Sequence, residues 1–266
     1  MQIVFYVILF IVGACLGSFL CCQARRLHYN TTHKSKLRSS RSICLHCHKQ
    51  LKWYDNLPII SWLALRGKCR FCRHSIGWAE LLSELGLAIA FLLLGTCFDI
   101  NTTSPLSWIL FILTLVYTTI ITFLAIYDGL YGELPTVFLI IAIIIACIIL
   151  ALNTTITLST TPFSTNLIWQ PVASVALLGG LYLLLYLISK GKWVGDGDWL
   201  LCVSIAIVLG HPWLALFVLF LSNFLACLVM LPTLKGNTRR RIHFGPFLVI
   251  AFVIVLSVAN NLQSML

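Results

Sequence analysis

Eight apolar runs, at about 3–22, 80–97, 107–127, 136–152, 171–189, 199–210, 213–231 and 247–263, occupy most of this 266-residue chain. Runs of ~17–25 apolar residues are long enough to cross hydrocarbon, and a backbone in lipid must satisfy its own hydrogen bonds, so such runs become helices. With 60% hydrophobic and 10% charged residues and a mean hydropathy of +0.98, the chain carries more apolar surface than a soluble core of this length can bury. The expected class is all-α, a polytopic membrane protein of about eight transmembrane helices. The run at 199–210 is short. At ~1.5 Å per residue it spans ~18 Å of a ~30 Å hydrocarbon core, so it is expected to tilt into protein or to line a water-filled cleft.

The charges mark a side. Of 18 Lys and Arg residues, twelve lie between Arg25 and Arg73, and the other six are Lys190, Lys192, Lys235 and Arg239 to Arg241. Eight spans place all of these on one face, which the positive-inside rule makes cytoplasmic, with the loops 98–106 and 153–169 outside. Both termini are then external. The first run has no basic residue before it and is followed by Arg25-Arg26, so it reads as a retained anchor rather than a signal peptide. Its Gly13, Gly17 and Ser18 allow close helix packing. The expected division is a first helix at 1–22, a cytoplasmic cysteine-rich loop at 23–79 and a seven-helix core at 80–266. The Asn-x-Thr triplets at Asn30, Asn101 and Asn153 read as incidental.

The loop holds Cys44-Leu45-His46-Cys47 and Cys69-Arg70-Phe71-Cys72, with 21 residues between the pairs. Each Cys-x-x-Cys can give two thiolates to one ion, and tetrahedral sulfur ligation by Cys44, Cys47, Cys69 and Cys72 would order a loop too small to build its own core. Structural zinc is the expectation in a reducing compartment; two disulfides are the alternative if the loop is outside. His46 and His48 could replace a cysteine. The remaining cysteines, Cys15, Cys21, Cys22, Cys97, Cys147, Cys202 and Cys227, lie in apolar runs and read as small hydrophobes. Trp53, Tyr54 and Trp62 alternate with Lys52, Arg66, Lys68 and Arg70. Beside a membrane such a set is an interfacial anchor that meets anionic lipid; a nucleic-acid stacking surface is the alternative, and no nucleic acid is expected as a partner.

Asp128 follows the run ending at Tyr127, and Asp198 closes Gly195-Asp196-Gly197-Asp198 before the short run. Two runs separate them, so both aspartates reach the same face whichever way the protein is oriented. Acids at a membrane boundary are costly, which makes them functional candidates. Two neighbouring carboxylates cannot both ionise cheaply, so one keeps a proton while the other activates water against a peptide carbonyl. The glycines around Asp198 let a substrate strand approach. Set against this, Asp128 alone could be a helix-end cap, and Asp196 and Asp198 an N-cap and a first-turn acid. A further alternative is a carboxylate-based transporter with a zinc-ordered loop, for which Glu84 would be the membrane acid.

Several motifs together resemble the type IV prepilin peptidases, bifunctional leader peptidases and N-methyltransferases of the Gly-x-Gly-Asp intramembrane aspartic protease group. They are Gly17-Ser18-Phe19-Leu20 with Arg26-Leu27, Arg41-Ser42-Ile43-Cys44 to Cys47, Leu51-Lys52-Trp53-Tyr54-Asp55-Asn56-Leu57-Pro58, Ser61-Trp62, and Arg66-Gly67-Lys68-Cys69-Arg70 to Cys72. Further on come Asp128 before Leu134-Pro135, the Gly195 to Asp198 motif, and Phe244-Gly245-Pro246-Phe247-Leu248. The resemblance implies Asp128 and Asp198 as the catalytic pair, the four loop cysteines as metal ligands, and Asp196 as a bystander. Two departures stand out: Leu200 where the family usually has Lys, and Glu80-Leu81 where it commonly has Tyr-Pro, with Glu84 in the expected register. The implied substrate is a prepilin or pseudopilin with a short basic leader, cut at the cytoplasmic face of a bacterial inner membrane. The implied second activity is methylation of the new amino terminus by S-adenosylmethionine, placed near the cysteine loop with Glu84 as participant.

Overall fold

A computed structural model describes residues 2–33, 44, 46–47, 49–98, 104–160, 165–191, 194–230 and 243–265. The expectations for Arg41-Ser42-Ile43, His48, Asn101, Lys192, Lys235 and Arg239 to Arg241 lie outside them.

The described residues form α1 (Gln2–His33), α2 (Ile60–Ala64), α3 (Ala79–Thr96), α4 (Pro105–Tyr131), α5 (Thr136–Thr160), α6 (Asn166–Ser189), α7 (Asp196–Leu209), α8 (Pro212–Met230) and α9 (Gly245–Met265), with a 3-10 turn at Trp53–Asn56. No strand occurs among them; an isolated bridge joins Lys68 and Ser75. The all-α expectation holds, and the eight long helices fall on the eight apolar runs. By length and composition, α1, α3, α4, α5, α6 and α8 can cross a membrane. The described apolar stretch of α9 is shorter, and α7 has 14 residues, so six helices rather than eight meet that test. Large apolar side chains such as Ile3, Ile140, Ile188 and Phe220 are exposed on these helices, as lipid-facing residues are.

Helix boundaries follow local chemistry. Helix α4 opens with Pro105, whose fixed φ suits a first turn. It closes on Gly132 at φ 71°, whose N–H returns to the Asp128 carbonyl at 2.7 Å, a left-handed cap that glycine adopts without strain. Helix α1 runs on to His33 rather than ending near 22, because 23–33 contain neither Gly nor Pro.

Two compact units result, Met1–Gly95 and Thr96–Leu266. They differ from the expected division at 22 and 79: the first helix and the cysteine loop share a unit with α3. The small residues of α1 explain this, since a Cβ on Gly13 would stand 2.8 Å from Ala88 Cα and one on Gly17 would fall on the Ser83 carbonyl. In the second unit α7 packs against α5, α6 and α9. Its Leu201, Cys202, Ile205 and Ala206 are fully buried. Two interior polar pairs join helices: Tyr117 Oη lies 3.1 Å from Ser204 Oγ, and Ser174 Oγ donates to the Ala206 carbonyl at 2.9 Å, the usual fate of buried polar groups.

Candidate active site and thiolate cluster

The last turn of α4 buries Asp128, which is 6% exposed. Its Oδ2 accepts the Gly245 N–H at 2.9 Å, and His243 Nδ1 stands 3.7 Å from its Oδ1. The Phe244-Gly245-Pro246 motif is thereby seated on Asp128, with Phe244 against Tyr182 of α6 at a ring separation of 5.4 Å. Asp198 lies in the first turn of α7, where Gly195 is the N-cap. Its Oδ2 accepts the Gly195 N–H at 3.1 Å, the reciprocal half of a capping box. Asp198 lies close enough to Asp128 and His243 for their charges to bear on it. It also caps its helix, as the sequence alternative allowed.

Glycine is required between these acids. A Cβ on Gly197 would stand 2.5 Å from Leu134 Cβ, so the Leu134-Pro135 segment after α4 abuts the start of α7. The charge of Asp196 bears on the Tyr186 hydroxyl.

In the N-terminal unit, the sulfurs of Cys44, Cys47, Cys69 and Cys72 all lie within 4.8 Å of one another. Cys44 and Cys72 Sγ are 3.9 Å apart, too far for a ~2.05 Å disulfide and close to the ~3.8 Å that tetrahedral Zn–S bonds of ~2.3 Å impose. The cluster can hold a metal ion. A hydrogen bond from the Cys72 backbone brings the Cys69 thiol down to about 7. Cys72, despite one from the His74 backbone, is pushed up to about 11 by lost hydration and the neighbouring sulfurs. His46 stacks on His74 at 4.2 Å rather than joining the four sulfurs.

Beside the cluster is a cavity of about 710 Å³, lined by Arg25, Arg26, His46, Trp62, Glu80 and Glu84 among others. Arg25 pairs with Glu80 at 3.3 Å. Trp62 donates to the Gly77 carbonyl at 3.0 Å and packs on Trp78. Arg70 lies over the Tyr54 ring at 4.9 Å and binds Asp55 at 2.8 Å. The aromatic and basic residues of the loop thus pair largely with each other. Glu84 Oε2 accepts the Ile59 N–H at 2.6 Å. Ile59 has φ 63° and ψ −52°, and Ile60 N–H returns to the Pro58 carbonyl at 2.5 Å. This is a γ-turn of the strained hand, on a β-branched residue.

Three of these features were not read from the sequence: the Gly245 N–H, His243 and the Ile59 turn. The first had a visible signal in the Phe244-Gly245-Pro246 motif, and His243 immediately precedes it.

Fold and site together define an α-helical membrane protein with a carboxylate pair in one unit and a four-thiolate cluster in the other. Residues 11–98 match the bacterial peptidase A24 N-terminal domain. A prepilin leader peptidase/N-methyltransferase of Myxococcus xanthus is 39% identical over 87 residues, 33% of this chain and 25% of that protein. One from Vibrio cholerae is 36% identical over 93 residues, 34% of this chain and 37% of that protein. One from Stutzerimonas stutzeri is 29% identical over 216 residues, 79% of this chain and 69% of that protein. The match thus spans about a third or less of the first two relatives' lengths and about two thirds of the third's. No solved structure matches. The resemblance to prepilin leader peptidase/N-methyltransferases, drawn from the motifs, is borne out.

Proposed function

We propose that this chain is an aspartic endopeptidase of the bacterial inner membrane that removes the short basic leader of type IV prepilins or pseudopilins at the cytoplasmic face. The observation that carries this reading is the convergence of Asp128 and Asp198, two acids 70 positions apart in sequence, within range of each other's charge. One carboxylic acid donates its proton to the scissile carbonyl oxygen while the other carboxylate takes a proton from water, whose oxygen bonds to the carbonyl carbon. Collapse of that tetrahedral intermediate breaks the C–N bond, and a proton passes to the leaving nitrogen. The Gly245 and Gly195 N–H groups hold one oxygen of each carboxylate through these steps. A transporter is less well supported: Glu84 sits in the second turn of α3 and binds the loop backbone.

The same reading assigns zinc to the four thiolates, as a structural ion that fixes the loop. It assigns methylation of the new amino terminus to the neighbouring cavity, where S-adenosylmethionine would supply the methyl group. Glu84 is the carboxylate placed to receive a proton from the substrate amine. Prepilins and membrane lipid are the partners.

Mass spectrometry of a co-expressed prepilin tests this with wild type, Asp128→Asn and Asp198→Asn. Leader loss with wild type alone is the expected result. An intact prepilin in all three, each properly inserted, sinks the peptidase reading.

A further inference from the structure

Asp128 has a second neighbour with chemistry of its own. The Gly245 N–H holds Oδ2 at 2.9 Å, whereas Oδ1 is approached by His243 Nδ1 at 3.7 Å. That separation exceeds a hydrogen bond, so any pull of the imidazole on the carboxylate acts through space rather than through a shared proton. The ring's position is a consequence of neighbouring small residues. A Cβ on Gly132, the left-handed cap of α4, would stand 2.9 Å from His243 Cε1 and 3.3 Å from Nδ1. Gly245, two residues further along, leaves the Asp128 carboxylate room, because a Cβ there would stand 2.8 Å from Oδ2. His243 also acts electrostatically on Asp198. Its side chain is 40% exposed against 9% for Asp128, so the imidazole reaches a buried acid from the solvent side.

We infer that His243 is a positioning residue of the peptidase: its imidazole, set beside Oδ1, and the Gly245 N–H, bound to Oδ2, together fix the Asp128 carboxylate for reaction with Asp198. The inference rests on the peptidase reading above. The inference assigns this role to a positive charge at the position and not to the ring's bulk. His243 contacts the carboxylate, not the substrate, so it sets the rate of the chemical step and leaves substrate binding alone.

The experiment compares wild type, Asp128→Asn, His243→Gln, His243→Phe and His243→Arg on a purified prepilin in lipid vesicles, with insertion checked for each. His243→Phe keeps an aromatic ring of similar bulk and loses the charge; His243→Gln keeps polarity and loses the charge; His243→Arg keeps a positive charge. The expected result is a kcat reduced roughly tenfold or more for Gln and Phe, a KM within about twofold of wild type, and recovery of most of the rate by Arg. Wild-type rates for Gln and Phe overturn the inference while leaving the peptidase reading in place. A wild-type rate for Phe with a loss for Arg overturns it too, since shape would then be the requirement. Should wild type be as inactive as Asp128→Asn, the peptidase reading falls and the inference falls with it.

Discussion

The Gly245 N–H donates to Asp128 Oδ2 at 2.9 Å, joining two residues 117 positions apart. It ties the start of the last helix to the end of α4. Glycine is required there for closeness, because a Cβ would stand 2.8 Å from the accepting oxygen.

Gly245→Ala is therefore expected to leave the chain inserted and to displace the Asp128 carboxylate. The predicted loss in kcat/KM for prepilin cleavage is about 10- to 100-fold, or ~1.4–2.8 kcal/mol. Kinetics in vesicles measure it, and an unchanged value would remove Gly245 from the site.

Asp198 has a structural role that can be separated from its chemical one. Asn at 198 retains an oxygen for the Gly195 N–H and Ala does not. Both variants should fail to cleave, but only Asp198→Ala should lose helix-cap stability, about 1 kcal/mol. Thermal unfolding in detergent tests this through a lower midpoint for Ala than for Asn.

The sulfur cluster predicts about one zinc ion per chain. Metal analysis should find none after Cys44→Ser combined with Cys69→Ser, and proteolysis should then cut the loop faster. Metal-free protein with an equally resistant loop would reject the assignment.

Glu84 binds the Ile59 N–H and also lines the cavity, and one substitution distinguishes these roles. Glu84→Gln keeps an acceptor for the loop and loses the charge, so it should abolish methylation of the pilin amino terminus while leader removal continues. Mass spectrometry reads both events on one product. Continued methylation by the Gln variant would leave Glu84 as a loop anchor.

Ile59→Gly should raise stability, because glycine adopts φ 63° without the cost a β-branched residue bears there. The expected gain is about 1 kcal/mol, strain relief less the added freedom of glycine in the unfolded chain. A lowered unfolding midpoint would show that the turn is not strained.

Apolar run length was enough to locate every long helix, because lipid leaves the backbone little choice. The four cysteines could be grouped by spacing alone, since two residues between ligands suit one tetrahedral ion. Counting the runs between Asp128 and Asp198 is enough to expect both on one face, though not to say how near they stand. What the sequence did not reveal depends on distance in space. The Phe244-Gly245-Pro246 motif marks the position, but nothing in it shows that the Gly245 N–H points at a carboxylate on another helix. Likewise, the contact of Gly197 with Leu134 appears only once α7 is packed. Helix α1 extends past the apolar run because its last eleven residues, though mostly polar, contain no breaker; helices continue past the hydrocarbon wherever no breaker intervenes. Gly13 and Gly17 are legible as packing residues, but that their partners are Ala88 and Ser83 of α3 appears only in the fold.

The brevity of α7 bears on where water comes from. Fourteen residues extend ~21 Å, leaving ~9 Å of a ~30 Å hydrocarbon slab unfilled along that line. Because α7 packs against α5, α6 and α9, the unfilled length lies within the bundle, where a cleft can admit solvent. Asp198 stands at the head of this helix, so on the proposed reading the shortness of α7 would let the water that hydrolysis consumes reach the carboxylate from that cleft.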